Sequence, residues 1–348
     1  MAYTEIDNPT DYFNTVLYTG NAGTQAITGV GFAPNWVWGK ARNATEGHSL
    51  HDTVRGTGKN ILANSAGAEE AIASVTAFGS DGFTLGSNAH MNNNNSPTVA
   101  WCWRAGTTIS STSTSGSGTA KTYTGSVNTD AGFSIIRYVG NGTAGHTIPH
   151  HLGAKPDVIL IKHLGDGQQW ATQWSPLGAT KVMRWATNNV VSDSNTRWND
   201  TEPTSSVFTL GSEAEGNTND GNHIAYCFTN IQGYSKVGSY TGNGNVDGPF
   251  VYTGFKPAFV MTKRTDSTGD WAIMDNKRNP FNVMNKYLKA QGADAESTDE
   301  SFNIDGLSNG FKLRYNNSNY NASGGAYIYM AFAETQFVSS GNVPGTAR

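Results

Sequence analysis

The sequence predicts an all-β protein of three tandem antiparallel β-sandwich repeats, jelly-roll or lectin-like, with little helix. Three observations predict it. The first is internal repetition: Tyr18-Thr-Gly-Asn, Tyr138-Val-Gly-Asn and Tyr240-Thr-Gly-Asn each open a segment carrying a proline (Pro34, Pro156, Pro257) and, six residues on, a lysine (Lys40, Lys162, Lys263). Each segment then passes Phe83, Phe208 or Phe311 and closes on Trp103, Phe228 or Phe332, spaced 20, 20 and 21 residues later. Spacing held over this length marks a repeated structural unit. The second is a set of short β-branched or aromatic runs, such as Asp157-Val-Ile-Leu-Ile-Lys162 and Asn35-Trp-Val-Trp-Gly-Lys40. The third is the turn dipeptides between such runs, including Asp81-Gly82, Asn141-Gly142, Asn243-Gly244 and Asn309-Gly310. Asparagine and glycine supply the positive φ of tight hairpin turns.

Taken in order, residues 1–12 form a polar arm outside the repeats, and residues 13–105 form the first repeat. The Ser/Thr/Gly tract 106–120 reads as a flexible linker, since it has almost no side chain worth burying. The second and third repeats, 121–232 and 233–338, follow without a spacer and are expected to pack together; a tail occupies 339–348. Trp36/Trp38, Trp101/Trp103 and Tyr226/Phe228 each place two aromatics on one face of a strand, a core signature. Cys102 and Cys227 hold equivalent positions, where the third repeat has Ala331, and read as buried apolar groups without a disulfide. Two windows have helical character, Glu69-Glu-Ala-Ile-Ala and Phe281 to Leu288.

Composition narrows function. Only 14% of residues are charged, the formal charge is −4 and there is no basic cluster, so neither nucleic acid nor an anionic membrane is an expected partner. No leader is legible over Met1–Tyr18 and no apolar run is long enough to span a membrane. The chain contains no Gly-x-Ser-x-Gly elbow, phosphate loop or His-Glu-x-x-His motif. Asp52 and Asp275 share a register, but the second repeat has Trp174 there and nothing pairs two acids for hydrolysis. His146, His150 and His151 are the densest histidine cluster, on an extended stretch that does not converge for zinc. The expectation is a non-enzyme with no catalytic residue, cofactor or metal.

Binding candidates remain. The repeat lysines read chiefly as strand-end charges that discourage edge pairing. Eight residues after two of them stand Trp170 and Trp271, candidates for stacking on sugar rings, with His48 in the first repeat. Asn-rich segments precede each closing strand: Asn92, Asn93 and Asn94; Asn217 and Asn219; and Asn316, Asn317 and Asn319. Amides offer paired donors and acceptors to sugar hydroxyls without a charge.

The strings Ser80-Asp-Gly-Phe-Thr-Leu-Gly-Ser, Val99-Ala-Trp-Cys-Trp, Trp198-Asn-Asp-Thr-x-Pro-Thr-Ser-Ser-Val-Phe and Gly238-Ser-Tyr-Thr-Gly-Asn-Gly resemble an uncharacterised repeat family of virion structural proteins in marine tailed bacteriophages. The resemblance covers nearly the whole chain and carries no catalytic or binding residues with it. It implies a tail-fibre or appendage subunit contacting the host surface, with a surface glycan as ligand. Its alternatives are a capsid decoration or head-fibre protein and, third, a polysaccharide-degrading tail enzyme. It further implies residence in the virion after assembly in the host cytoplasm, and other virion proteins as partners. A homo-oligomer is expected, a trimer being compatible, and three copies in one chain could themselves supply pseudo-threefold symmetry. The arm 1–12 is expected to dock onto a neighbouring virion protein.

Overall fold

The computed structural model describes residues 4–344 except 5, 166, 299–301 and 342, so parts of the expected arm and tail lie outside the described residues. The fold is all-β, with every strand pair antiparallel. Each repeat is a sandwich of one large and one three-stranded sheet.

In the first repeat the large sheet runs Phe13–Thr19, Pro97–Trp103, Trp36–Ala41, Ser49–Asp52, Lys59–Leu62, Glu70–Ala71. Its small sheet comprises Gln25–Ile27, Gly82–Leu85 and Val75–Gly79. The third repeat repeats this order with Ser235–Thr241, Ala326–Gln336, Phe255–Arg264, Ala272–Asp275 and Leu288–Lys289 over Phe250–Tyr252, Gly310–Leu313 and Ile304–Leu307. The second repeat has the same centre, Phe133–Val139, Asn222–Phe228, Val158–His163, Ala171–Trp174, Lys181–Arg184, within an eight-stranded sheet.

The extra strands correct an expectation. The tract 106–120 is not a free linker: Thr107–Ser113 pairs with Thr122–Asn128, and Ser115–Gly116 joins the second small sheet. Its side chains are mostly exposed, so it reads as a linker, but its backbone is held by the ladder. The helical windows are also corrected: Glu70–Ala71 is a strand and residues 281–287 are irregular. The helices observed are single turns, three of them in the Asn-rich segments before the closing strands: Ala89–Asn92, Ala214–Asn217 and Ser318–Asn321.

Strand alternation gives each large sheet two apolar faces. Val37, Ala100 and Cys102 face their own small sheet, as do Ile159, Ala225 and Cys227 in the second repeat and Val260 and Ala331 in the third. The opposite faces, with Trp36, Trp38, Trp101, Trp103, Phe133, Tyr226, Phe228, Phe259 and Phe332, meet in a single core shared by all three repeats. Trp36 stacks on Tyr226 at 4.5 Å between centroids, and Phe228 meets Phe332 edge-on at 5.8 Å. Burying one such ring contributes about 4–6 kcal/mol at ~25 cal/mol per Å². The repeats are therefore not beads; their aromatic faces cover one another.

The packing is cyclic. In the first repeat Glu69 N donates to Leu164 O of the second, in the second Val191 N donates to Thr265 O of the third, and in the third Glu296 N donates to Arg42 O of the first. Leu164, Thr265 and Arg42 each stand two residues after a repeat lysine. Three like seams that close on themselves make a pseudo-threefold ring within one chain.

Two seams carry a buried ion pair. Asp52 binds Arg55 at 2.5 Å and accepts from the second repeat's Tyr226 hydroxyl at 2.7 Å. Asp275 binds Arg278 at 2.5 Å and accepts from Trp101 Nε1 of the first repeat at 3.1 Å. Glu69 and Glu296 extend these pairs, at 3.3 Å from Arg55 and 3.1 Å from Arg278. At the third seam all four positions are apolar: Trp174, Leu177 and Val191 in the second repeat, Met330 in the third. Trp174 there packs on Trp271 at 5.4 Å. The exchange is concerted because a buried carboxylate without its guanidinium costs more than an apolar set.

Candidate functional site

The Tyr-x-Gly-Asn motif that defines the repeats is a clip. Tyr18, Tyr138 and Tyr240 donate their hydroxyls to the carbonyls of Met91, Gly216 and Tyr320 in the helical turn before the closing strand. From that turn a buried asparagine reaches back. Asn92 accepts from Asn21 N and donates to the Gly23 and Gly86 carbonyls. Asn217 does the same with Asn141 N, Thr143 O and Gly211 O, and Asn321 with Asn243 N, Asn245 O and Tyr315 O. The motif glycine is required because a Cβ at Gly20, Gly140 or Gly242 would lie 2.3–2.4 Å from a backbone oxygen of the turn.

This places the predicted amides. Asn92 and Asn217 are buried pins with their polar atoms used internally, which removes them as ligand contacts. Asn317 is half-buried and caps its helical turn through Asn319 N. Asn94, Asn219 and Asn316 are exposed, and Asn93 and Asn319 half-exposed, at the loop end of their own sandwiches. Sequence placed all of them in loops but could not separate pin from surface.

Trp170 and Trp271 are corrected as sugar platforms: their exposures are 0% and 1%. Each indole N–H donates across a seam, Trp170 to Leu62 O at 3.0 Å and Trp271 to Thr187 O at 3.1 Å. His48, at their register, sits in the same buried position and accepts from Trp38 Nε1 at 2.9 Å.

The repeat lysines are also buried rather than surface charges. Lys40 Nζ donates to the Ala41 and Ala44 carbonyls. Lys162 reaches Ala66 O of the first repeat and Lys263 reaches Asn188 O of the second. Burial pushes Lys40 and Lys263 down to about 8.

His146 bonds Asn217 and Thr114, His150 bonds Thr204 O and His151 bonds Tyr123, so the three rings point to separate partners. No group of acids, histidines and cysteines that could hold a metal occurs among the described residues. Asp52 and Asp275 serve separate seams, each committed to its own arginine.

The surface that stands apart is the outer face of the third repeat. Phe250 and Tyr252, two apart on one edge strand, are 44% and 53% exposed, while Val251 between them enters the core. Pairing with the phenylalanine strand aligns Val251 with Ile27 and Ile148. The siblings of Phe250 and Tyr252 are thus Ala26 and Thr28 in the first repeat, Thr147 and Pro149 in the second. A Cβ at Gly310, opposite Tyr252, would lie 2.1 Å from Val251 O and 2.9 Å from the edge of the Phe250 ring. Lys312 pairs with Asp247 in the loop before Phe250, and Arg314 with Asp305 on the neighbouring strand; Lys312 holds the Asp247 carboxyl below its usual range. On the far edge Asn282 exchanges two hydrogen bonds with Gly306, seating exposed Phe281 and Val283 beside the sheet. The signal for this pair in the sequence is the period-two alternation of Phe250-Val-Tyr252.

Aromatic faces flanked by charged hydrogen-bonding groups suit a ligand with apolar faces and hydroxyl edges. No helix among the described residues is long and apolar enough to cross a membrane. No curated protein is matched by the sequence. A family model described as "Domain of unknown function (DUF7483)" matches residues 8–336. The chain belongs to the DUF7483 family.

Proposed function

We propose that this chain is a non-catalytic bacteriophage virion structural protein, a tail-fibre or appendage subunit that contacts a host-surface glycan through the outer face of its third repeat. The observation that carries the glycan contact is the exposed pair Phe250 and Tyr252, present in one repeat of three on an otherwise common scaffold. Exposed Asn316 at the loop end of the same sandwich adds an amide. The virion assignment rests on the sequence resemblance. Buried thiols Cys102 and Cys227, free of any disulfide, accord with assembly in a host cytoplasm. Other virion proteins are the remaining partners. A homotrimer is compatible with this reading but not needed for threefold shape, which the ring already supplies.

A capsid decoration protein is the second reading, favoured by the repeats being closed in a ring rather than strung along a fibre axis. Gold-labelled antibody on intact virions separates the two. Label at fibre tips or the distal tail supports the proposal; label spread over the head overturns it in favour of decoration.

A further inference from the structure

The three large sheets differ at one edge. In the second repeat Phe133–Val139 is covered by Thr122–Asn128, itself covered by Thr107–Ser113. The equivalent strand of the first repeat, Phe13–Thr19, is the bare edge of its sheet. Gly20 N donates inward to Ser96 O, so by antiparallel alternation Thr15, Leu17 and Thr19 turn their backbone groups outward. Thr15 N is occupied by Asn14 Oδ1 and Thr19 O by Gln25 Nε2, which leaves the backbone groups of Leu17 between them.

The two edges also differ in cover. Ser134, Ile136 and Tyr138 are fully buried beneath the added strand, whereas their counterparts Asn14, Val16 and Tyr18 are half-buried, and Leu17 is 43% exposed. The third repeat closes its own edge differently: Asn230 bonds both N and O of Val237, and Lys236 and Ser239 stand on the strand. Lysine and capped backbone groups are protections against strand pairing; Leu17 is not.

We propose that the edge Phe13–Thr19 receives an extended segment of a partner protein by antiparallel strand addition. The occupant has the chemistry the second repeat shows on the same edge. There Tyr123 lies opposite Tyr138, Thr124 opposite Arg137, Gly125 opposite Ile136 and Val127 opposite Ser134. An incoming strand of that kind, uncharged and hydroxyl-rich with aromatic, small and β-branched residues at alternate positions, sets its aromatic over Tyr18 and its glycine over Val16. Its hydroxyl residue lies beside Leu17. Main-chain bonds supply the affinity and these alternate side chains the register.

The test is fluorescence anisotropy of a labelled, end-capped peptide of residues 122–129 titrated with the intact chain. Saturable binding is expected, with at least tenfold weaker binding to Leu17→Pro and Leu17→Lys and none of that loss for Ser239→Pro in the third repeat. Leu17→Lys keeps the backbone and decides the matter if Leu17→Pro lowers the melting temperature. Absence of saturable binding at millimolar peptide overturns the proposal. So does equal binding by both Leu17 variants, or association of two copies through this strand while the peptide stays free.

Discussion

Asp52 of the first repeat accepts a 2.7 Å hydrogen bond from Tyr226 of the second, and both side chains are fully buried. The carboxylate is already held by Arg55, so the tyrosine is what carries the ion pair across the seam. Tyr226→Phe should lower unfolding free energy by about 1.5–3 kcal/mol, the usual range for a hydrogen bond to a charged group. Denaturant titration reads it; an unchanged midpoint would remove the seam role.

The apolar seam answers differently. Trp174→Asp restores the residue of the other two repeats but finds Leu177 where they have arginine. An unpaired buried carboxylate costs about 3–5 kcal/mol, so the variant should be far less stable than the parent. Adding Leu177→Arg should recover part of that loss, and a double-mutant cycle measures how much.

The repeat and its all-β sandwiches were legible because core positions recur with strict spacing and period-two alternation. What faced what was not. Lys40, Lys162 and Lys263 look like surface charges in one repeat and are buried, Lys162 and Lys263 with their ammonium groups on carbonyls of a neighbouring repeat. Trp170 and Trp271 look alike in this respect: their indole N–H groups bond carbonyls over 80 positions away in the chain, a contact that local spacing does not show. The strand Thr107–Ser113 escaped notice because an exposed edge strand needs backbone partners, not apolar side chains.

Each buried asparagine of the clip should be costly to remove. Asn92→Ala, Asn217→Ala and Asn321→Ala leave a backbone N–H and two carbonyls without their partner. A loss of at least about 2 kcal/mol is expected for each. Asn94→Ala, on the exposed part of the same segment, should stay within about 0.5 kcal/mol of the parent.

Acid should destabilise the fold before any seam carboxylate is considered. Burial pushes His51 and His223 down to about 3 and His150 to about 4. Below pH ~6.5 the unfolded chain takes up protons that these native imidazoles refuse, so stability falls as pH drops toward 4, by up to about 1.4 kcal/mol per unit for each. Lys40 and Lys263, pushed down to about 8, act at the other end: the unfolded chain keeps those protons up to about pH 10.4, so their contribution rises with pH across that window. Urea midpoints at pH 7.5, 5 and 9.5 test both signs, and His223→Gln should flatten the acid limb.

Phe250→Ala and Tyr252→Ala should leave the melting temperature nearly unchanged and abolish glycan retention on host-surface polysaccharide. Trp170→Ala should do the reverse of a surface change, costing about 3–5 kcal/mol through the cavity it opens in the shared core. Retention unaffected by the double substitution at Phe250 and Tyr252 would discard the third-repeat face as the contact.

Differential scanning calorimetry of the intact chain tests the shared core most directly. Three sandwiches closed around one aromatic centre should unfold in a single transition, with calorimetric and van't Hoff enthalpies equal. Two or three resolved transitions, or a van't Hoff enthalpy near one third of the calorimetric value, would mean that the repeats are independent units and contradict the ring.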